Sequence, residues 1–231
     1  MHAKILEIFK SIQGEGPYAG VSQVVVRFFE CNMHCVWCDT PASIGDTTRN
    51  YKELSLEDIF AQISQLYPGC HSVSLTGGEP LLQKDFIKML LPLIKNKGMK
   101  AYLETNGVLP EQLKDIVNDV DVIAMDIKLP SSTQCRPYWQ EHEEFLKIAH
   151  RAQAETFVKT VISSDTQKED IQKAVQLVER VDRETLFILQ PNTYDLKNGV
   201  VAKCSEYLEY CLPHLPNVRV MPQMHKFMKI R

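Results

Sequence analysis

Two rhythms of apolar and polar positions alternate along the chain. Short runs rich in β-branched and aromatic residues come first and keep returning: SQVVVRFF (Ser22–Phe29), HSVSLTGGEP (His71–Pro80), MKAYLETNG (Met99–Gly107), DVIAMDIKLP (Asp121–Pro130), TFVKTVISS (Thr156–Ser164), TLFILQPNT (Thr185–Thr193) and NVRVMPQMH (Asn217–His225). Such runs read as buried strands. Between them, apolar residues fall at helical spacing. This predicts helices over Phe86–Lys97, ending at Gly98 with Pro92 as a disturbance, and over about Pro110–Asn118, Trp139–Ala152, Gln167–Val181 and Val201–Leu212.

Strand and helix in alternation predict a parallel sheet with crossover helices. The strands are apolar along their length, as expected when both faces are covered. No Rossmann glycine pattern follows the first strand. The expectation is therefore an α/β fold: a partial, open TIM-like βα barrel of about six parallel strands, with its site at their C-terminal ends. Polar residues gather there, at Thr76–Pro80, Glu104–Gly107, Asp126–Lys128, Lys159 and Gln190–Thr193. No linker, repeat or low-complexity stretch divides the chain, so residues 1–231 read as one domain.

Composition narrows the class. Hydrophobic residues make up 44% and charged residues 24%, with a net charge of −3, which gives no broad electrostatic footprint for nucleic acid. No run approaches the about 18 apolar residues of a membrane span. The N-terminal MHAKILEIFKSIQGEG lacks a signal-peptide core. A cytoplasmic protein with no nucleic-acid or membrane partner is expected. Its seven cysteines then suit metal binding or chemistry better than a disulfide framework.

Three of them stand in CNMHCVWCDT, as Cys31, Cys35 and Cys38. Thiolates are soft ligands for iron–sulfur, zinc or Cu(I). Three without a fourth leave one coordination position open, the mark of a site that takes a substrate or cofactor. Two other readings remain: a zinc site of Cys₃His type using His34, or three buried small apolar residues. Cys70, Cys135, Cys204 and Cys211 default to burial.

The C-x₃-C-x₂-C spacing resembles that of the radical S-adenosylmethionine superfamily. TGGEP (Thr76–Pro80), LETNG (Leu103–Gly107) and MDIK (Met125–Lys128) resemble its later segments. The whole stretch Glu7–Thr40, EIFKSIQGEGPYAGVSQVVVRFFECNMHCVWCDT, resembles the 7-carboxy-7-deazaguanine synthase family.

The resemblance implies a [4Fe–4S] cluster on Cys31, Cys35 and Cys38, with S-adenosylmethionine on the fourth iron. It implies Mg²⁺ on Thr40. S-adenosylmethionine would meet Trp37, Cys38, Asp39, Gly78, Glu104, Asp126, Ile127, Lys128, Gln190, Pro191, Asn192 and Thr193. A pterin substrate would meet Ile12, Gln13, Gly14, Arg27 and Thr76. The implied reaction is a radical ring contraction of 6-carboxy-5,6,7,8-tetrahydropterin to 7-carboxy-7-deazaguanine with loss of ammonia, feeding queuosine synthesis. Hydrogen is taken from C6 by a 5′-deoxyadenosyl radical, and no side chain acts as acid, base or nucleophile. A flavodoxin- or ferredoxin-type electron donor and a homodimer are implied partners.

Plainer readings stand beside these. Trp37 can be core, TGGEP a helix-entry turn, and Asp126 with Lys128 a buried ion pair. Thr40 can open a turn, GEGPYAG can be a flexible turn, and Arg27 can be surface-paired. Two other functions share parts of the pattern. An activating enzyme for glycyl-radical proteins has the cluster motif but no need of SIQGEG or Thr40. A non-catalytic zinc or iron–sulfur module has no need of TGGEP.

Overall fold

A computed structural model describes residues 1–45, 50–152 and 154–230. Among these residues nine strands form one sheet in the order β3-β1-β2-β4-β5-β6-β7-β8-β9. They are β1 (His2–Ile12), β2 (Ser22–Phe28), β3 (Lys52–Ser55), β4 (Ser72–Gly77), β5 (Ala101–Thr105), β6 (Val122–Asp126), β7 (Glu155–Ile162), β8 (Leu186–Pro191) and β9 (Val218–Val220). From β2 to β9 every neighbouring pair is parallel, giving seven parallel strands rather than about six. β1 is antiparallel to both β2 and β3, an extension that the strand–helix rhythm did not foretell. The sheet does not close, as expected of a partial barrel.

Helices α1 (Leu56–Leu66), α2 (Lys84–Asn96), α3 (Pro110–Lys114), α4 (Pro130–Thr133), α5 (Trp139–Arg151), α6 (Lys168–Asp182) and α7 (Val200–Cys211) occupy the crossovers, and α8 (Met224–Met228) ends the chain. Pro92 lies inside α2, yet Phe86, Ile87, Leu90, Leu91 and Ile94 are all buried. At about 1.5–3 kcal/mol per buried large apolar side chain, those five outweigh the roughly 3 kcal/mol cost of an interior proline. The expected strand over Asn217–His225 is real for only three residues, Val218–Val220. Its C-terminal part becomes α8 because Pro222 lacks the N–H that a ladder needs.

Strand alternation divides the side chains. Val24, Val26, Val73, Leu75, Leu103, Ile123, Met125, Val158, Phe187 and Leu189 belong to the main core under the helices. The opposite face turns into the barrel. Low in that interior, Tyr102, Val122, Ala124, Phe157 and Ile188 form a second apolar cluster with Tyr18 against it. Tyr18 meets Tyr102 edge-on at 5.7 Å between ring centres. Gly16, at φ +66°, lets this loop pass Phe157 where a Cβ would sit 2.6 Å from the ring. The lower barrel is therefore plugged, and the upper part is lined by polar groups.

Candidate active site

The upper interior holds a cavity of about 400 Å³. Its wall is the inward parity of each strand: Gln23, Val25 and Arg27 on β2, Ser74 and Thr76 on β4, Glu104 on β5, Asp126 on β6, Lys159 and Val161 on β7, Gln190 on β8. Cys31, Cys35 and Cys38 line it as well.

The cysteine loop is shaped by backbone contacts. After β2, Glu30 takes φ +79°, uncommon for a residue with a Cβ. Lys4 Nζ holds its carboxylate at 2.6 Å, and its carbonyl accepts from Glu79 N at 2.8 Å. Gly78 packs so closely that a Cβ there would lie 2.1 Å from the Glu30 oxygen. Further on, Cys38 N donates to Cys35 O at 3.0 Å and Val36 N to Thr133 O at 3.2 Å.

Burial pushes the Cys31 thiol up to about 11 and the Cys35 thiol to about 12, while the Lys128 ammonium favours both thiolates. Each also feels another thiol's charge, Cys38 for Cys31 and Cys31 for Cys35. Without a cation bound to them these sulfurs stay protonated thiols, and a bound metal centre would be what draws off their protons. Among the described residues, no group of three or more His, Cys, Asp or Glu side chains surrounds a single ion, and exposed His34 does not line the cavity. The donor set of three soft thiolates fits an iron–sulfur cluster better than a closed Cys₃His zinc site.

Around the thiols the polar groups are pre-arranged. Glu104 accepts from Gln13 Nε2 at 2.7 Å, Ser74 Oγ at 3.2 Å and Thr76 Oγ1 at 3.0 Å. Asp126 Oδ2 takes Lys128 Nζ at 2.9 Å and Lys159 Nζ at 2.8 Å. Burial works against its charge, but the two ammoniums win and hold the carboxyl below its usual range. Lys128 also lies 4.9 Å over the Trp37 ring, whose Nε1 donates to Ser132 Oγ. Two buried acceptors on this wall, Asp126 Oδ1 and Gln190 Oε1, have no hydrogen-bond partner among the described residues, a cost that a bound ligand with N–H or O–H groups would relieve. Arg27 is engaged by Glu7 through Nε at 2.9 Å, and its terminal nitrogens suit a carboxylate bidentately.

The sequence model of the Radical SAM superfamily matches residues 25–193. The chain is 37% identical to the 7-carboxy-7-deazaguanine synthase of Geobacter sulfurreducens, over 98% of this chain and 97% of that one. This chain belongs to the 7-carboxy-7-deazaguanine synthase family of the radical SAM superfamily. The namesake enzyme of Thermoplasma acidophilum is 34% identical over 96% of this chain and 95% of its own. In fold, the crystal structure of QueE from Escherichia coli superposes with a TM-score of 0.67 at 22% identity, covering 97% and 95% of the two chains. Membership of the superfamily brings a [4Fe–4S] cluster and S-adenosylmethionine. The three thiols, the close passage at Gly78 and the two unpartnered acceptors fit these groups.

Most residues expected from the sequence of this synthase-family chain line the one cavity: Ile12, Gln13, Gly14, Arg27, Trp37, Asp39, Thr40, Thr76, Gly78, Glu104, Asp126, Lys128, Gln190 and Asn192, with the cysteines. Three do not. Ile127 follows Asp126 in an extended segment, so its side chain takes the opposite parity and is fully buried in the main core. Its N–H donates to Lys159 O and its carbonyl accepts from Thr160 Oγ1. Pro191 has the wrong parity beside Gln190 and pairs with Ile162 in the sheet. Thr193 Oγ1 donates to Gln223 Oε1 at 2.6 Å instead of facing the cavity.

Other lining residues went unforeseen. Gln23 and Ser74 are polar positions within apolar strands, and their parity with Arg27 and Thr76 was the available signal. Gln223, His225 and Lys226 come from the C-terminal segment, which carried no motif. Met224 N donates to Gly14 O at 2.8 Å, and the His225 ring sits where a Gly14 Cβ would be, 1.9 Å from Nδ1. Gln223 Nε2 reaches Glu15 Oε1 at 2.7 Å and Asp39 Oδ2 at 3.3 Å, and Lys226 Nζ reaches Asp39 Oδ2 at 3.2 Å. The C-terminal segment thus straps the open seam of the barrel beside the Gln13–Glu15 loop.

Proposed function

We propose that this chain converts 6-carboxy-5,6,7,8-tetrahydropterin to 7-carboxy-7-deazaguanine with loss of ammonia, in the supply of 7-deazaguanines such as queuosine. One observation carries the reading: the three thiols and the Gln13–Gly14–Arg27 group, the two ends of the family resemblance, line the same cavity. When bound, the cluster and S-adenosylmethionine supply a carbon-centred radical able to take a hydrogen atom from the substrate.

The chain's own residues bind, orient and exclude water. Cys31, Cys35 and Cys38 would hold the cluster, and with only three protein thiolates they would leave it open to the cofactor. Asp126 and Gln190 offer acceptors to cofactor or substrate donors. Arg27 clamps the substrate carboxylate, with Glu7 fixing the guanidinium. Gln13, anchored on Glu104, Gln23 and the Glu15 N–H, holds the loop that walls the substrate end of the cavity. Thr40, whose Oγ1 donates to Asp39 Oδ1 at 3.3 Å, would serve as a Mg²⁺ ligand, an ion that orients a substrate carboxylate. A flavodoxin- or ferredoxin-type donor supplies the electron, and the working unit is a homodimer.

The test is anaerobic turnover of the carboxytetrahydropterin with dithionite and S-adenosylmethionine. Wild type should form 7-carboxy-7-deazaguanine together with turnover of the cofactor, and Cys35→Ala neither. 5′-Deoxyadenosine without the deazaguanine refutes the substrate assignment. Full activity in Cys35→Ala refutes the cluster assignment.

A further inference from the structure

Lys159 stands between the two ends of the cavity. It faces inward from β7, with its side chain only 11% exposed. Its Nζ is 2.8 Å from Asp126 Oδ2 and 2.9 Å from Glu15 Oε2. Asp126 belongs to the thiol side: it shares Oδ2 with Lys128, the residue over Trp37, and its Oδ1 is buried without a partner among the described residues. Glu15 belongs to the other side. Its N–H donates to Gln13 Oε1 at 3.0 Å, and its Oε1 accepts from Gln223 at 2.7 Å. A single ammonium therefore joins a carboxylate at one end to a carboxylate on the loop at the other. With Lys128 the group balances two negative charges against two positive ones, all inside the barrel.

We infer that Lys159 is a positioning residue that couples binding of S-adenosylmethionine to binding of the substrate. The inference rests on the proposed function, which sets the two ligands at these two ends. An ammonium is a compact charge with three rotatable donors. It holds both carboxylates at once only while the Gln13–Glu15 loop and the end of β6 keep their spacing. A ligand that occupies Asp126 Oδ1 fixes that carboxylate, which fixes Lys159, which fixes Glu15 and the loop for the second ligand. Linkage makes the effect reciprocal: each ligand tightens the other by the same factor. A lysine that only stabilised the fold would change both affinities without changing that factor.

The experiment uses reconstituted holoenzyme with the cluster oxidised and no reductant, so that no cofactor is cleaved. The dissociation constant of S-adenosylmethionine is measured by calorimetry with and without saturating 6-carboxy-5,6,7,8-tetrahydropterin. In wild type the substrate should tighten the cofactor by about tenfold, within the usual range of such couplings. In Lys159→Gln the factor should fall to within about twofold of unity, whatever happens to either affinity alone. Asp126→Asn cuts the same bridge at its other end, should lose the factor too, and carries the test if Lys159→Gln does not retain its cluster. Intact coupling in either cluster-loaded variant overturns the inference, as does a wild type that makes the deazaguanine without coupling. A wild type that makes no deazaguanine refutes the functional proposal instead.

Discussion

Replacing Gly78 by alanine should empty the cluster site without unfolding the chain. Gly78 lies outside the left-handed region, so the change costs no backbone strain, and the penalty is one of contact alone. An added Cβ would stand 2.1 Å from Glu30 O, 2.5 Å from Glu30 C and 2.7 Å from Ser43 O. Ordinary contact begins near 3.4 Å, so the Glu30 carbonyl must retreat by 3.4 − 2.1 = 1.3 Å. These are backbone atoms at the two roots of the cysteine loop, and no side-chain rotation relieves them. Overpacking of this kind costs about 1–3 kcal/mol. Weakening the hydrogen bond from Glu79 N to Glu30 O (2.8 Å) adds about 0.5–1.5 kcal/mol. A total of roughly 1.5–4.5 kcal/mol corresponds to about one to three decades in the population of the cluster-ready loop. The assay is iron and sulfide per chain after anaerobic reconstitution, with the thermal transition measured in parallel. Gly98→Ala is the control: it strains a φ of +70° but has nothing within 4 Å of the new methyl. It should cost about 1 kcal/mol of stability and load iron fully. If Gly78→Ala loads as much iron as Gly98→Ala, the reasoning about the loop roots is wrong.

Further outcomes follow from other contacts. Glu79 is fully buried and accepts from Leu81 N, Thr105 Oγ1 and Asn106 N; Glu79→Gln turns a donor against a donor and should lower the denaturant midpoint by about 1–3 kcal/mol equivalent, an unchanged midpoint being the contrary result. His142 is buried with Nε2 accepting from Lys128 N and Nδ1 donating to Gly107 O. Burial lowers its pKa from 6.5 to about 4, so the unfolded chain binds the extra proton between those values. Stability should therefore fall as pH drops from about 6.5 to about 4, by about 3 kcal/mol at most, and His142→Gln should flatten that part of the pH–melting curve. Arg27→Lys should raise the substrate KM by about ten- to a hundredfold, from the loss of a charge-assisted bidentate contact, while leaving the S-adenosylmethionine dissociation constant in place; unchanged KM would remove Arg27 from the substrate end. Thr40→Val should raise the Mg²⁺ concentration needed for half-maximal turnover, and a metal titration matching wild type would rule out the Thr40 ligand.

The motif-bearing part of the site was legible because it is local. Cys31, Cys35, Cys38 and Thr40 lie in one loop, and their spacing is fixed by covalent connection. Thr76, Glu104, Asp126 and Gln190 were legible for another reason, since polar residues at the ends of apolar strands in a parallel sheet share one rim, whereas Arg27 was named only through the family resemblance. Ile127 and Pro191 show where that reasoning fails. A motif names consecutive residues, whereas a strand sends consecutive side chains to opposite faces, so Asp126 enters the cavity while Ile127 enters the core. Counting parity back from Arg27 on β2 and from Thr76 on β4 would have admitted Gln23 and Ser74. Nothing local marked Gln223, His225 and Lys226, because their place depends on the last strand ending after three residues and the chain then crossing the open seam to Gly14.

By itself the sequence determined the strand–helix alternation, the parallel sheet, the single-site rim and the three-thiol donor set, all consequences of periodicity and short spacing. Tertiary structure alone decided the antiparallel β1 and β3, the plug made by Tyr18, the strap at the C-terminus and the Glu15–Lys159–Asp126 bridge. Each of these joins residues far apart in the chain, and such contacts depend on how the layers pack rather than on any local preference.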